Sequence, residues 1–178
     1  MDQGSLKLVF AGPVGAGKTT AIRAIADCEP ISTEMPITTG NIGDKTTTTV
    51  AFDFVSIMLD DGTPLMLYGL PGQEHYAFMR PIIMDGAIGV LLVLNATQGE
   101  IGLMCDHWLT NLLAVDPQLA LVIGITHSER VPGFSMGAVR SAIRRFGRPI
   151  PAFTFDARDR AQAMHLVRAL LLSARLAH

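Results

Sequence analysis

The chain has 178 residues, 49% of them hydrophobic and 17% charged, with a net charge of -2. That length suits one domain, residues 1–178, able to bury most of its apolar surface. The slight acidity, without any basic patch bearing aromatics, excludes broad binding to nucleic acid, and the longest apolar run, Ala87 to Leu94, is too short to span a bilayer.

The first predicted element is a strand over Leu6 to Ala11. It runs directly into Gly12-Pro13-Val14-Gly15-Ala16-Gly17-Lys18-Thr19, the spacing of a P-loop. Gly12, Gly15 and Gly17 let successive backbone N–H groups turn inward, and a helix over Lys18 to Ala26 adds its positive end to the same hollow. An anion fits there. Lys18 then reaches the β- and γ-phosphates, and the Thr19 hydroxyl becomes a ligand of the Mg²⁺ bridging them. Val14, Ala16 and Thr20 complete the nucleotide-contacting positions. A glycine-rich turn without a ligand is the plain alternative, which the strand before it and the helix after it disfavour.

Glu29 to Lys45 is polar, bears proline and glycine, lacks clear periodicity, and predicts a long mobile loop. Strands follow over Thr49 to Leu59 and Pro64 to Leu70. Asp60-Asp61-Gly62 between them is a hairpin turn, so these two are antiparallel. A short helix falls within His75 to Met84. Strands over Ala87 to Leu94, Leu119 to Ile125 and Ala152 to Phe155 then alternate with helices over Ile101 to Val115, Ser135 to Phe146 and Asp159 to Ala177. In the last helix Ala163, Leu166, Val167, Leu170 and Ala174 form one apolar stripe. The pattern predicts a doubly wound α/β domain with six strands, mostly parallel with one antiparallel, and helices on both faces.

Three features now stand together: the P-loop, the threonine-rich lead into Val50-Ala51-Phe52-Asp53-Phe54, and Gly69-Leu70-Pro71-Gly72-Gln73-Glu74 at the carboxyl end of a strand. With them the chain, from about Leu6 to the final helix, resembles a Ras-like small GTPase, a G domain of the P-loop NTPase fold. More narrowly it resembles the bacterial branch that includes the gliding-polarity GTPases and the conservon GTP-binding proteins. The resemblance makes Glu29 to Thr49 switch I and Pro71 to about Met84 switch II. It implies that Thr49, with Thr48 as the fallback, closes over Mg²⁺ and the γ-phosphate, although a run of threonines that simply starts a strand reads the same way. It also implies a catalytic set of Lys18, Gly72, whose N–H senses the γ-phosphate, and Gln73, which orients the attacking water.

Two departures stand out. Position 69 is glycine, where many P-loop GTPases carry the aspartate that holds Mg²⁺ through water. Asp53 is expected to be a solvated strand carboxylate, with compensation for that loss as the alternative. In the base-reading segment, Thr126, His127 and Glu129 stand where Asn, Lys and Asp are usual. A carboxylate selects guanine by accepting from its N1–H and exocyclic amine, and His127 covers the base face. Phe155-Asp156-Ala157-Arg158 matches the Ser-Ala-Lys loop, with the Ala157 N–H toward guanine O6 and Arg158 beside the base. A plain surface loop is the alternative at both segments.

The expectation is a GTP/GDP switch that hydrolyses GTP slowly, since switch I carries no arginine, until a partner supplies the missing group. The resemblance implies a roadblock or longin-type regulator and an effector at the switches, where His75-Tyr76-Ala77-Phe78-Met79 offers aromatic and Met side chains. A nucleotide-dependent scaffold that scarcely hydrolyses, and a small-molecule P-loop kinase, are the competing readings. His107 and Trp108 read as core or partner-facing, and Arg140, Arg144, Arg145 and Arg148 as a solvated basic face. Asp2 in place of a myristoylated glycine, no C-terminal cysteine and no signal sequence predict a cytoplasmic protein without an intrinsic membrane anchor. Cys28 and Cys105 read as reduced thiols.

Overall fold

The computed structural model describes residues 5–26, 30–39 and 46–176, with the side chains of 32–39, 46–51, 75 and 176 left out. The six expected strands are present as β1 (Leu6–Ala11), β3 (Thr46–Met58), β4 (Pro64–Gly69), β5 (Gly89–Asn95), β6 (Leu121–Thr126) and β7 (Ala152–Thr154). A further strand, β2 (Ile31–Thr39), lies in the segment expected to be a mobile loop. It pairs antiparallel with β3 from Ile31↔Phe54 to Thr39↔Thr46. Ile31, Thr33, Ile37, Thr38 and Thr39 are β-branched residues that suit a pleated strand, and pairing along the threonine run satisfies a backbone that polarity alone had suggested was solvated.

The sheet order is β2-β3-β4-β1-β5-β6-β7. β3 is antiparallel to both of its neighbours, and the other pairs are parallel. Helices α1 (Lys18–Ala26), α2 (Arg80–Met84), α3 (Ile101–Val115), α4 (Gly137–Arg144) and α5 (Arg160–Leu176) connect the strands. Every residue of β5 and β6 is buried. Both faces of these central strands are covered, which is why they read as continuous apolar runs instead of alternating ones.

Alternation along β1 divides the core in two. Leu8 and Phe10 pack with Ile22 and Ile25 of α1 and Leu166, Val167 and Leu170 of α5. Val9 and Ala11 face the other way, toward Leu109 and Leu112 of α3 and Val139 and Ile143 of α4. The helices therefore hold the sheet from both sides, and the loops after β1, β4, β6 and β7 lie at the same end of it. That edge, outside the carboxyl ends of parallel strands, is where open α/β sheets bind ligands.

Candidate nucleotide site

The P-loop backbone takes the form its glycines allow. Gly12, Gly15 and Gly17 have φ of 138°, 75° and 105°, conformations that residues with a Cβ rarely adopt. At Gly12 a Cβ would also lie 2.0 Å from the Val93 carbonyl oxygen. The loop turns around Lys18, whose ammonium donates to the Gly12 and Pro13 carbonyls at 2.8 Å each. Lys18 is only 9% exposed. Burial pulls its pKa down from 10.5 to about 8, and the nearby Asp53 carboxylate opposes that fall. A cation held this way lacks a full counter-charge, and a phosphate would supply one.

Asp53 is the side chain that the sequence reading misplaced. It points into a hollow of about 270 Å³ shared with Val14, Gly15, Lys18, Thr19, Gly72 and Gln73, and its Oδ2 accepts from the Thr19 hydroxyl. It is a half-buried site residue, not a solvated strand carboxylate. Its register partner on β4 is Gly69, where a Cβ would approach Asp53 Cβ at 3.1 Å, its Oδ2 at 3.3 Å and Ile22 Cδ1 at 3.3 Å. The acid missing from position 69 thus has its counterpart on the adjacent strand, and the glycine leaves room for it. A hydroxyl beside a carboxylate at the mouth of a phosphate cradle is a donor set that fits Mg²⁺, a cation that takes few protein oxygens and completes its shell with phosphate and water. Thr19 and Asp53 are the side chains that would hold it. Thr48 and Thr49 lie on β3, opposite Ile37 and Pro36, and their side chains fall outside the described residues.

Gly72 closes the hollow from above. A Cβ there would lie 2.5 Å from the Val14 nitrogen and 2.6 Å from the Pro13 carbonyl carbon, so only glycine permits so close an approach of the two backbones. Gln73 follows it in an extended conformation, exposed at the rim.

A second hollow of about 210 Å³ has Gly17, Thr20, Thr126, His127, Glu129, Ala157 and Arg158 in its walls, so the P-loop lines both hollows. Ala16 is buried in the loop, and its carbonyl accepts from the Thr126 hydroxyl at 2.8 Å. Thr126 is 2% exposed and ties β6 to the P-loop. His127 adopts a left-handed conformation, φ 57°, uncommon for a residue with a side chain. Its Nδ1 lies 3.8 Å from Glu129 Oε1, and Arg130 Nε lies 3.6 Å from the same oxygen. Arg158 is held by Asp156 through hydrogen bonds of 2.7 and 2.9 Å, and these hold the Asp156 carboxyl down at about 2.

Two supporting residues were not singled out from sequence. Asn95 Nδ2 donates to the Gly15 carbonyl at 3.1 Å, while its Oδ1 accepts from the Thr97 amide and hydroxyl. Gln98 Nε2 donates to the Val14 carbonyl at 3.0 Å. Both follow from a place at the ligand end of β5, and Asn95-Ala96-Thr97-Gln98 was the available signal: a polar cluster ending an otherwise apolar strand.

No family model matches the chain. It is 31% identical over 94 residues to the mutual gliding-motility protein MglA of Myxococcus xanthus, covering 51% of this chain and 47% of that one. It is 27% identical over 109 residues to the Ras-related protein Rab-18-B of Danio rerio (61% and 48%), and 30% identical over 99 residues to the protein MJ1339 of Methanocaldococcus jannaschii (56% of each). The chain is related to the Ras-like small GTPases. It spans about half the length of these curated relatives, and the fold is that of a Ras-like G domain, with one antiparallel strand in an otherwise parallel arrangement.

The segment after Gln73, expected from the sequence to be switch II, is tied to α3. A 3₁₀ turn over Glu74–Met79 leads into α2. Arg80, 6% exposed, donates to both Glu74 carboxylate oxygens at 3.2 and 3.3 Å and lies 4.6 Å from the centre of the Trp108 ring, a cation–π stack. His107 Nε2 lies 3.3 Å from Glu74 Oε1. Burial acts to raise the Glu74 pKa, but the bonds from His107 and the charge of Arg80 prevail and lower it. Trp108, 2% exposed, is core as expected, and His107 is a surface partner of switch II. Phe78 and Ile82 of switch II and Leu103 of α3 remain exposed. Among the described residues no helix is long and apolar enough to cross a membrane.

Proposed function

We propose that this protein is a molecular switch that binds GTP and GDP and hydrolyses GTP to GDP and phosphate. The observation that carries the reading is the pair of hollows on the P-loop, one lined by Gly15, Lys18 and Thr19 around a buried lysine, the other by Gly17 and Thr20 with a carboxylate just after β6. A nucleotide has that division of chemistry: an anionic chain at one end and a base with hydrogen-bonding edges at the other.

In this reading Lys18 and the amides of Val14 to Thr20 hold the phosphates and offset the charge that develops as the γ-phosphoryl group leaves. Mg²⁺, when bound, supplies charge neutralisation between the β- and γ-phosphates. The Gly72 N–H, held close against the P-loop, meets the γ-phosphate. Gln73, at the rim beside it, orients a water in line with the bond that breaks. Glu129 accepts from guanine N1–H and its exocyclic amine, the Ala157 amide donates to O6, and His127 and Arg158 flank the base. Loss of the γ-phosphate frees Gly72, and switch II carries the change outward. The likeness to a gliding-motility protein favours a role in polarity, motility or signalling, with a roadblock or longin-type regulator and an effector at the exposed switch surface.

The competing reading, a scaffold that binds nucleotide but scarcely hydrolyses it, rests on the missing aspartate at position 69 and on the altered base-reading segment, and Asp53 weakens the first of these grounds. One experiment separates the two. Purified protein is denatured and its nucleotide identified by chromatography, and single-turnover phosphate release from GTP is then followed with Mg²⁺ and with EDTA. The expected results are guanine nucleotide and Mg²⁺-dependent release, with Asp53→Asn losing most of the Mg²⁺ dependence of GDP affinity. An adenine nucleotide would overturn the guanine reading. Bound guanine nucleotide with no release, even in the presence of a partner, would leave the scaffold.

A further inference from the structure

The edge of the sheet farthest from switch I carries a groove that the nucleotide site does not use. It lies between α4 and β7, has a volume of about 590 Å³, and is lined by Arg140, Arg144, Ile143, Ile150, Pro151 and Ala152 among others. Ile143 and Ile150 form a buried apolar floor at 9% and 6% exposure. From Val131 to Phe155 the sequence contains four arginines, Arg140, Arg144, Arg145 and Arg148, and no acidic residue. In a chain of net charge -2 this is a concentrated positive field.

Two of these arginines are already occupied. Arg145 pairs with Asp106 of α3 at 2.8 Å, and Arg148 donates to the Pro117 and Leu119 carbonyls at 2.9 and 2.8 Å. Arg140 and Arg144 are exposed on the rim and have no acidic partner among the described residues. Beside them β7 ends the sheet. The Pro151 carbonyl, Phe153 and the Phe155 amide face β6. Alternation along a strand therefore directs the N–H and C=O groups of Ala152 and Thr154 outward, to the unpaired edge.

We propose that this groove docks an extended acidic segment of a partner protein, which adds a short strand to β7 and sets its carboxylates on Arg140 and Arg144. An unpaired edge offers backbone hydrogen bonds to any chain, and side-chain chemistry decides which chain it accepts. Pro149 and Pro151 confine the pairing to Ala152 and Thr154, so the two arginines carry most of the selectivity. The same charges disfavour a second copy of this chain, because a two-fold pairing of β7 edges would bring like-charged rims together. The concave, edge-bounded shape favours a peptide over a lipid surface.

The test uses the full chain, ¹⁵N-labelled, and two short capped peptides, one alternating glutamate with valine and the other lysine with valine. The glutamate peptide is expected to shift the amides of Ala152, Thr154 and α4 saturably, with affinity falling at least about tenfold from about 50 to about 500 mM salt. The lysine peptide should leave them unmoved. Arg140→Glu with Arg144→Glu should abolish the response, and the milder Arg140→Gln with Arg144→Gln should weaken it, with thermal melting unchanged in both since neither arginine has an acidic partner among the described residues. The proposal is overturned if the glutamate peptide is silent at millimolar concentration, if both peptides act alike, or if the shifts fall on switch II. It is also overturned if the same amides respond instead to phosphatidylserine vesicles, or change with protein concentration alone as a dimer forms.

Discussion

Replacing Lys18 with Met is expected to do two opposite things: abolish tight nucleotide binding and stabilise the protein when no nucleotide is present. Lys18 is 9% exposed, and burial brings its pKa from 10.5 to about 8. That fall corresponds to roughly 3 kcal/mol of stability withheld while the group is charged, at about 1.4 kcal/mol for each tenfold change in proton affinity. Methionine removes the buried charge but leaves the Gly12 and Pro13 carbonyls without their donor, a cost of about 1 kcal/mol each. The net gain is then about 1 kcal/mol near neutral pH. The pH dependence is sharper. Below pH 8 the lysine is protonated in both the native and unfolded chains, and the penalty is present in full. Between about 8 and 10.5 the unfolded chain holds a proton that the native protein has released, so wild-type stability rises with pH through that window relative to Lys18→Met. Urea unfolding of nucleotide-stripped protein at about pH 7 and about pH 10.5 measures both quantities, and GDP titration of the same samples should show a loss of about a hundredfold or more in affinity. A variant less stable than wild type at neutral pH, together with a stability difference that does not change with pH, would refute the argument.

Gln73→Leu should leave GDP affinity within about twofold and slow single-turnover phosphate release about ten- to a hundredfold, because the cradle is intact and only the water loses its orienting group. Competition of GDP and ADP against a labelled nucleotide should show the guanine preference shrinking about a hundredfold or more in Glu129→Ala, the loss of both charge-assisted hydrogen bonds at about 1.5 kcal/mol or more each. An unchanged preference would mean that this loop does not read the base. Arg80→Ala should cost about 1–2 kcal/mol in urea unfolding, mostly the stack on Trp108, since Glu74 is 61% exposed and the ion pair is largely screened. Trp108 is the chain's single tryptophan, so its emission should change between GDP and a non-hydrolysable GTP analogue, and that change should vanish in Arg80→Ala.

Much of this was legible in linear order because the physics is local. A P-loop needs glycines at fixed spacing, and the positive φ values at Gly12, Gly15 and Gly17 are conformations that no other residue adopts at low cost. Strands buried on both faces betray themselves as apolar runs, and β5 and β6 did. The segment from Ile31 to Thr39 was not legible. Its threonines and proline fit a loop as well as an edge strand, and only a long-range pairing with β3 decides between them. Arg80 was illegible for a related reason: nothing near it in sequence announces that Trp108, on another helix, lies beneath its guanidinium.

Asp53 shows why a motif read along the chain can miss a group that is present in space. Alternation on β3 was available: Phe52 and Phe54 pack on the α3 side of the sheet, while Val55 and Ile57 pack on the α1 side, so Asp53 had to share the face of α1. The sequence could not say that α1 begins with Thr19 at that level, or that Gly69 is its register partner. In a sheet, neighbouring strands present side chains of the same face side by side, so a carboxylate can be delivered to one point from either strand. The two positions are also coupled by space. With Asp53 in place, even a Cβ at position 69 meets it at 3.1 Å, so the glycine and the relocated aspartate form one arrangement. The glycine at position 69 and the carboxylate sixteen residues earlier therefore belong together, and they leave a carboxylate beside the Thr19 hydroxyl at the mouth of the P-loop.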